Sequence, residues 1–228
     1  MNIHRATLKN CDQFTGTVVV VDVIRAFTTA AVAFAKGATE IILVGEVSEA
    51  LAVRDELIGS LVMGEVGGVK PREFDYGNSP SELSQVDLTG IRIIQRTTAG
   101  TQGVVRSKKA DRLVTGSFIN AKATAQYLRN ENSTDITFVI TGNHSGYDGA
   151  EDFAYADYME ELLKGNEPDP EPFLSAVRNS NWGKCIGDPT RPEFPAADLD
   201  FILGINRFNF AMPINREGTR LVMTKVCV

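Results

Sequence analysis

The sequence predicts an α/β protein, layered α/β/α around a mostly parallel sheet, with a C-terminal antiparallel extension. Three observations carry that prediction. Short apolar runs alternate with helical stretches through residues 1–165, the pattern of βαβ units. The run Thr17–Val21 (TVVVV) has no polar side, as expected of a strand covered on both faces. Six of the nine prolines fall between Pro168 and Pro195, which separates the alternating core from a tail of different character.

Each element has its own local reason. Thr17–Val21 is read as a strand, and Arg25–Lys36, rich in alanine, as the helix after it, stopped by Gly37. Glu40–Val44 is a second strand. Ser48 is the expected cap of a helix running to Leu57, and Leu61–Gly64 is a third strand. Residues 65–80, EVGGVKPREFDYGNSP, form a long loop ending in a helix start: Ser79 at N-cap, Pro80 at N1, Glu82 at N3. Ile91–Arg96 is a strand, followed by the turn Thr97–Thr101. Arg112–Thr115 is another, leading through Gly116 and Ser117 into a helix to Arg129. Ile136–Thr141 is a strand, then come the loop GNHSGYDG and a helix over about 150–164. The core is therefore 1–165. The extension, 166–228, packs on the same sheet as part of one compact unit. It is read as one or two short helices, a helix over Asp198–Asn206, and strands Arg207–Met212 and Arg220–Thr224 paired as a hairpin at the sheet edge.

Composition narrows the function. A chain of 228 residues, 43% hydrophobic and 23% charged, is ordinary for a globular protein and excludes a disordered or collagen-like one. No apolar run reaches the ~18 residues of a membrane span, and Met1–Arg5 leads into no secretory apolar region. The net charge of −6 argues against nucleic-acid binding, which usually needs a basic surface. Cys11, Cys185 and Cys227 are odd in number and far apart, which reads as reduced thiols in a cytoplasmic protein rather than a disulfide framework or zinc site.

In an open parallel sheet, ligands bind beyond the carboxyl ends of the strands. Those ends carry Asp22 and Arg25, then Glu65 and Lys70, then Thr97, Thr98, Gly100 and Thr101, then Ser117, and last Glu151 and Asp152. Carboxylates supply oxygen ligands for Mg²⁺. Arg25 and Lys70 supply fixed positive charge for an oxyanion, and glycine and threonine turns expose backbone N–H groups to phosphate. Each group also has a plainer reading: Asp22 as a helix cap, the TTAGT run as a turn, Glu151 and Asp152 as partners of a helix dipole, Asn78 and Ser79 as turn and cap. His144 reads as a loop surface residue, Trp182 as a packing group, and Cys185 as no nucleophile.

At these same segments the chain resembles the 2-phosphosulfolactate phosphatase family. The matching residues are DVIRAFTT at 22–29, EVGGVK at 65–70, FDYGNSP at 74–80, TTAGT at 97–101, GSFINA at 116–121, the helix start at Glu151-Asp152 and NRFNFAMP at 206–213. The chain departs at Val66 and Ala99, where the family often carries Arg and Asn. The resemblance implies a Mg²⁺-dependent acid phosphatase that converts 2-phospho-3-sulfolactate to sulfolactate and phosphate on a route to coenzyme M.

The resulting assignment names Asp22, Arg25 and Lys70 as catalytic residues and Asp22, Glu65, Glu151 and Asp152 as metal ligands. Asn78, Ser79, Thr97, Thr98, Gly100, Thr101, Ser117 and Asn120 are substrate contacts. Asp22 at a strand end is similar to the nucleophile of haloacid-dehalogenase phosphatases, but their D-x-D signature fails because position 24 is Ile. A metal-activated water is therefore preferred as the attacking group, with Asp22 as ligand or base. The partner is a small phosphorylated anion, and the assignment leaves room for a homodimer. The alternative is a non-catalytic binder of a small phosphorylated or sulfonated metabolite.

Overall fold

The computed structural model describes residues 1–143 and 146–228. In chain order the elements are β1 Asn2–Thr7, β2 Thr17–Val21, α1 Ala26–Ala35, β3 Glu40–Leu43, α2 Val47–Glu56, β4 Leu61–Gly64, α3 Pro80–Leu83, β5 Arg92–Arg96 and α4 Gly100–Arg106. They continue with β6 Arg112–Gly116, α5 Ala121–Asn130, β7 Asp135–Ile140, α6 Ala150–Leu163, α7 Glu171–Asn179, α8 Asp198–Ile202, β8 Phe210–Glu217, β9 Arg220–Met223 and β10 Val226–Cys227. This is the α/β class that the alternation predicts.

Strand β2 is buried along its whole length, and its side chains alternate between two cores. Val18 and Val20 join an apolar cluster built around α1, whereas Val19 and Val21 join one built with α5, α6 and α7. That is why TVVVV needs no polar side. A third cluster packs α2 against β3, β4 and β5. Helix α1 (AFTTAAVAFA) is buried at nine of its ten positions. Its cluster takes side chains from β2, β3, β4, β5, β6, β8 and β9, so this small-residue helix belongs to a core that runs under much of the sheet. It ends as its sequence suggests. The Gly37 N–H donates to the Phe34 carbonyl and the Ala38 N–H to the Ala33 carbonyl, a Schellman cap.

The sheet order is β1-β7-β2-β6-β8-β9-β3-β5-β4, with β10 beside β8. Strands β1, β7, β2 and β6 are mutually parallel, as are β3, β5 and β4. Between the two sets lies the antiparallel pair β8–β9. The hairpin expected at the sheet edge is therefore at its centre. Its side chains explain the placement: Phe210 to Ile214 are all buried, and a strand so apolar at an edge would expose both backbone and side chains. Because two antiparallel junctions do not cancel the third, the β3-β5-β4 set runs opposite to the β2 set. The strand ends do not share one carboxyl edge, as the sequence suggested. Residues that follow β2, β4 and β5 nevertheless come together, since Asp22, Glu65 and Thr98 line one cavity.

Two smaller expectations are corrected. Helix α2 is not capped by Ser48. Its N-cap is Glu46, with no side-chain cap bond, and the Glu49 carboxylate accepts the Gly45 N–H at 3.0 Å. Strand β1 was not expected, because NIHRAT has no apolar alternation. It is held by its full-length pairing with β7. No described helix is long and apolar enough to cross a membrane.

Candidate active site

The turn from β2 into α1 sets the first carboxylate. Asp22 is buried, and its Oδ1 accepts the Ala26 N–H at 3.0 Å. The first residue of α4 lies directly against it. A β-carbon on Gly100 would sit 2.8 Å from Asp22 Oδ2 and 2.7 Å from the Ala26 Cβ, so only glycine permits this approach.

Glu65, after β4, joins two loops. Its Oε1 accepts the Thr98 N–H at 2.6 Å. Its Oε2 accepts the Gly68 N–H at 2.6 Å and the Thr98 hydroxyl at 2.8 Å. Thr98 Oγ1 in turn accepts the Gly67 N–H at 2.7 Å. On the opposite side, the first turn of α6 supplies Glu151 and Asp152. Asp152 Oδ1 accepts the Val23 N–H at 2.9 Å, and Oδ2 accepts the Gly142 N–H at 2.8 Å. Glu151 is almost wholly buried and its Oε2 has no hydrogen-bond partner. A β-carbon on Gly142 would fall 2.5 Å from Glu151 Oε1, so this glycine too is a spatial requirement.

Asp22, Glu65, Glu151 and Asp152 line one cavity of about 180 Å³. Burial is the largest influence on three of them. It lifts Asp22 to about 7, aided by the Glu65 and Glu151 charges and opposed by the Ala26 N–H. It raises Glu151, and it raises Asp152 well above the usual carboxylate range, where Glu151 and Asp22 add to the effect. Arg25 is the one Lys or Arg among the described residues of the cavity wall. Such a cluster calls for protons or a cation. Among the described residues no group of three or more His, Cys, Asp or Glu is already arranged to enclose an ion. Mg²⁺ does not need such a cage, since it commonly takes one or two carboxylates and completes its shell with water and phosphate oxygens. The unpartnered Glu151 Oε2 and the nearby Asp22 fit that requirement.

Thr98 and Asn78 also reach the cavity, and Asn78 Oδ1 is buried without a partner. Other sequence-selected residues lie elsewhere. Thr97 and Thr101 do not line it; they bond each other across the start of α4, the Thr97 N–H donating to Thr101 Oγ1 at 2.9 Å and the Thr101 N–H to Thr97 Oγ1 at 3.0 Å. Ser117 and Asn120 are buried and do not line it, and Asn120 Nδ2 donates to the Phe210 carbonyl. Ser79 caps α3 through the Glu82 N–H. Lys70 and Ser79 line a separate, larger groove of about 810 Å³, which shares Arg25, Gly68 and Asn78 with the cavity. The Val66–Val69 turn folds back on itself, and Lys70 Nζ donates to the Phe74 carbonyl at 2.8 Å. His144 lies outside the described residues.

Sequence reasoning missed the cavity's aromatic side. Tyr147 stacks on Trp182 at 4.3 Å between centroids, and Trp182 meets Phe194 at 5.7 Å. All three line the cavity. It also missed Asp198, the buried partner of Arg25 at 2.7 Å. Clustered prolines flagged the stretch with Trp182 and Phe194 only as a connection, and Asp198 read only as the first residue of a helix with no motif around it.

A family profile described as 2-phosphosulpholactate phosphatase matches residues 3–177. The chain belongs to the 2-phosphosulfolactate phosphatase family. Its members are phosphoric monoester hydrolases by name, so this is an enzyme of that class. A probable 2-phosphosulfolactate phosphatase of Bacillus subtilis is 30% identical over 92% of both chains. Proteins with the same description from Carboxydothermus hydrogenoformans and Thermoplasma acidophilum are 42% and 28% identical, over 68% and 84% of this chain and 63% and 82% of their own. The profile match of the family includes all four cavity carboxylates and Arg25. Trp182, Phe194 and Asp198 lie beyond it.

Proposed function

We propose that the protein is a Mg²⁺-dependent phosphatase acting on the phosphate monoester of a small anionic metabolite, 2-phospho-3-sulfolactate, to give 3-sulfolactate and phosphate. Coenzyme M biosynthesis is the route this substrate implies, and the cytoplasm is the compartment. The observation that carries the reading is the convergence of four buried carboxylates and one arginine on a cavity of about 180 Å³. Kinship with proteins named for this activity supports the substrate.

Asp22 and Glu151 would hold the metal. Glu65 and Asp152, whose oxygens all accept N–H groups, fix the loops around it. A bound Mg²⁺ would neutralise phosphoryl charge and favour ionisation of water. Arg25 supplies the remaining positive charge for the non-bridging oxygens. On this reading water forms the new bond to phosphorus, the ester P–O bond breaks, and the proton that the water gives up ends on the leaving alkoxide oxygen, so the products are the alcohol and phosphate. Asp22 would orient the attacking water. The aromatic side formed by Tyr147, Trp182 and Phe194 limits bulk water beside the reacting groups.

The test is phosphate release from a panel of phosphomonoesters that includes 2-phospho-3-sulfolactate, with EDTA and with Mg²⁺ restored. Turnover should vanish with the chelator and return with the ion. Full turnover in EDTA refutes the metal role. Tight binding of the substrate without phosphate release in Mg²⁺ makes the protein a binder instead.

A further inference from the structure

The Arg25 guanidinium is fixed from several sides. Its Nη1 donates to Asp198 Oδ2 at 2.7 Å and to the Glu193 carbonyl at 2.8 Å. Its Cζ lies 4.3 Å over the Phe194 ring. Nη1 carries two N–H bonds and both are engaged. Nε and Nη2 carry three more, and no described residue accepts from them. Those two nitrogens form the side-on fork of a guanidinium, the edge that meets carboxylate or phosphate with two parallel hydrogen bonds. Arg25 lines the carboxylate cavity.

Asp198 is held as firmly. It is fully buried on α8. Its Oδ1 accepts the Ser79 hydroxyl at 2.6 Å, the Ser81 hydroxyl at 2.6 Å and the Ser81 N–H at 3.0 Å. A carboxylate with three donors on one oxygen cannot swing, so the arginine paired with its other oxygen cannot either.

We propose that Asp198 is a positioning residue: it holds the Arg25 guanidinium so that the Nε–Nη2 edge receives an oxyanion of the phosphorylated substrate. The inference rests on the phosphatase reading and adds to it a residue from the segment beyond the family match. Asp198 touches no substrate. It acts through Arg25 alone.

Asp198→Asn keeps the shape and one acceptor for the serines but turns an N–H towards Arg25. The expected result, in Mg²⁺, is a fall in kcat/KM of about 30-fold or more, carried mainly by KM, with a parallel rise in the inhibition constant of inorganic phosphate. Adding Asp198→Asn to Arg25→Ala should change kcat/KM by less than about twofold, because the arginine is then already gone. Unchanged kinetics with a lowered Tm, or losses that multiply in the double variant, would overturn the proposal by making Asp198 a purely structural tie. If Asp198→Asn does not fold, Ser81→Ala removes one anchor and should raise the phosphate inhibition constant roughly threefold; no rise overturns it. If the wild-type protein turns over no monoester, the phosphatase reading fails by itself. Calorimetry with inorganic phosphate then decides: binding weakened by Asp198→Asn supports the positioning role, and a wild-type protein that binds no phosphate refutes it.

Discussion

Asp22 shows how little room the site leaves. Gly100 approaches its carboxylate so closely that one added methyl group would stand 2.8 Å from Oδ2. Gly100→Ala must therefore push Asp22 or α1 aside. A displacement of that kind near reacting groups costs about 10–100-fold in rate. Steady-state kinetics of Gly100→Ala should show that loss, and wild-type values would mean that Asp22 has no fixed role. The same carboxylates give a pH signature. Asp22 is raised to about 7 and Glu151 and Asp152 move in the same direction, against ~4 in an unfolded chain. Between those values the folded protein holds protons that the unfolded chain has released, so its stability falls as pH rises through the window. Metal-free protein should melt at a higher temperature at pH 5 than at pH 8. Mg²⁺ should raise Tm more at pH 8, and Asp22→Asn should flatten the metal-free slope. A metal-free Tm that climbs across this interval would contradict the burial of ionisable carboxylates described above.

Among the elements, α4 separates a structural task from a chemical one. Thr97 and Thr101 exchange hydrogen bonds across its first turn, and Thr101 Oγ1 donates to the Thr97 carbonyl at 2.9 Å. Both were attractive as phosphate contacts because a hydroxyl-rich turn before a helix suits an anion. Their hydroxyls instead satisfy the backbone. Thr101→Val should cost ~1–2 kcal/mol, as leaving the buried Thr97 N–H without its acceptor does, or a Tm shift of about 2–8 °C, and leave KM within about twofold. A large rise in KM would return Thr101 to the substrate site. The hairpin β8–β9 tests the sheet in the same spirit. Amide exchange should be as slow at Met212, Ile214, Val222 and Met223 as in β2, because central strands open only with the core. Fast exchange there would restore the hairpin to an edge.

Over the whole molecule, the division between sequence and tertiary structure has a clear physical basis. The amino-acid order by itself determined the strand at Thr17–Val21, the Gly37 stop, the Ser79-Pro80 helix start and the strands at 61–64 and 112–115. In each, local stereochemistry or an apolar run is sufficient. It also brought forward the four carboxylates that line the cavity, although each had a plainer use as a helix cap or a partner of a helix dipole, and the family resemblance that runs through them. Tertiary structure alone decided that the C-terminal hairpin divides the sheet, since edge and centre differ by which partners a strand finds. It decided that oppositely running strand sets meet at one cavity, because strand order and direction are set by pairings between segments far apart in sequence. It also decided that Arg25 pairs with Asp198, 173 residues away in sequence. A lone aspartate in a short helix has no periodicity or spacing to announce it, and its partner is set by the packing of the tail over α3.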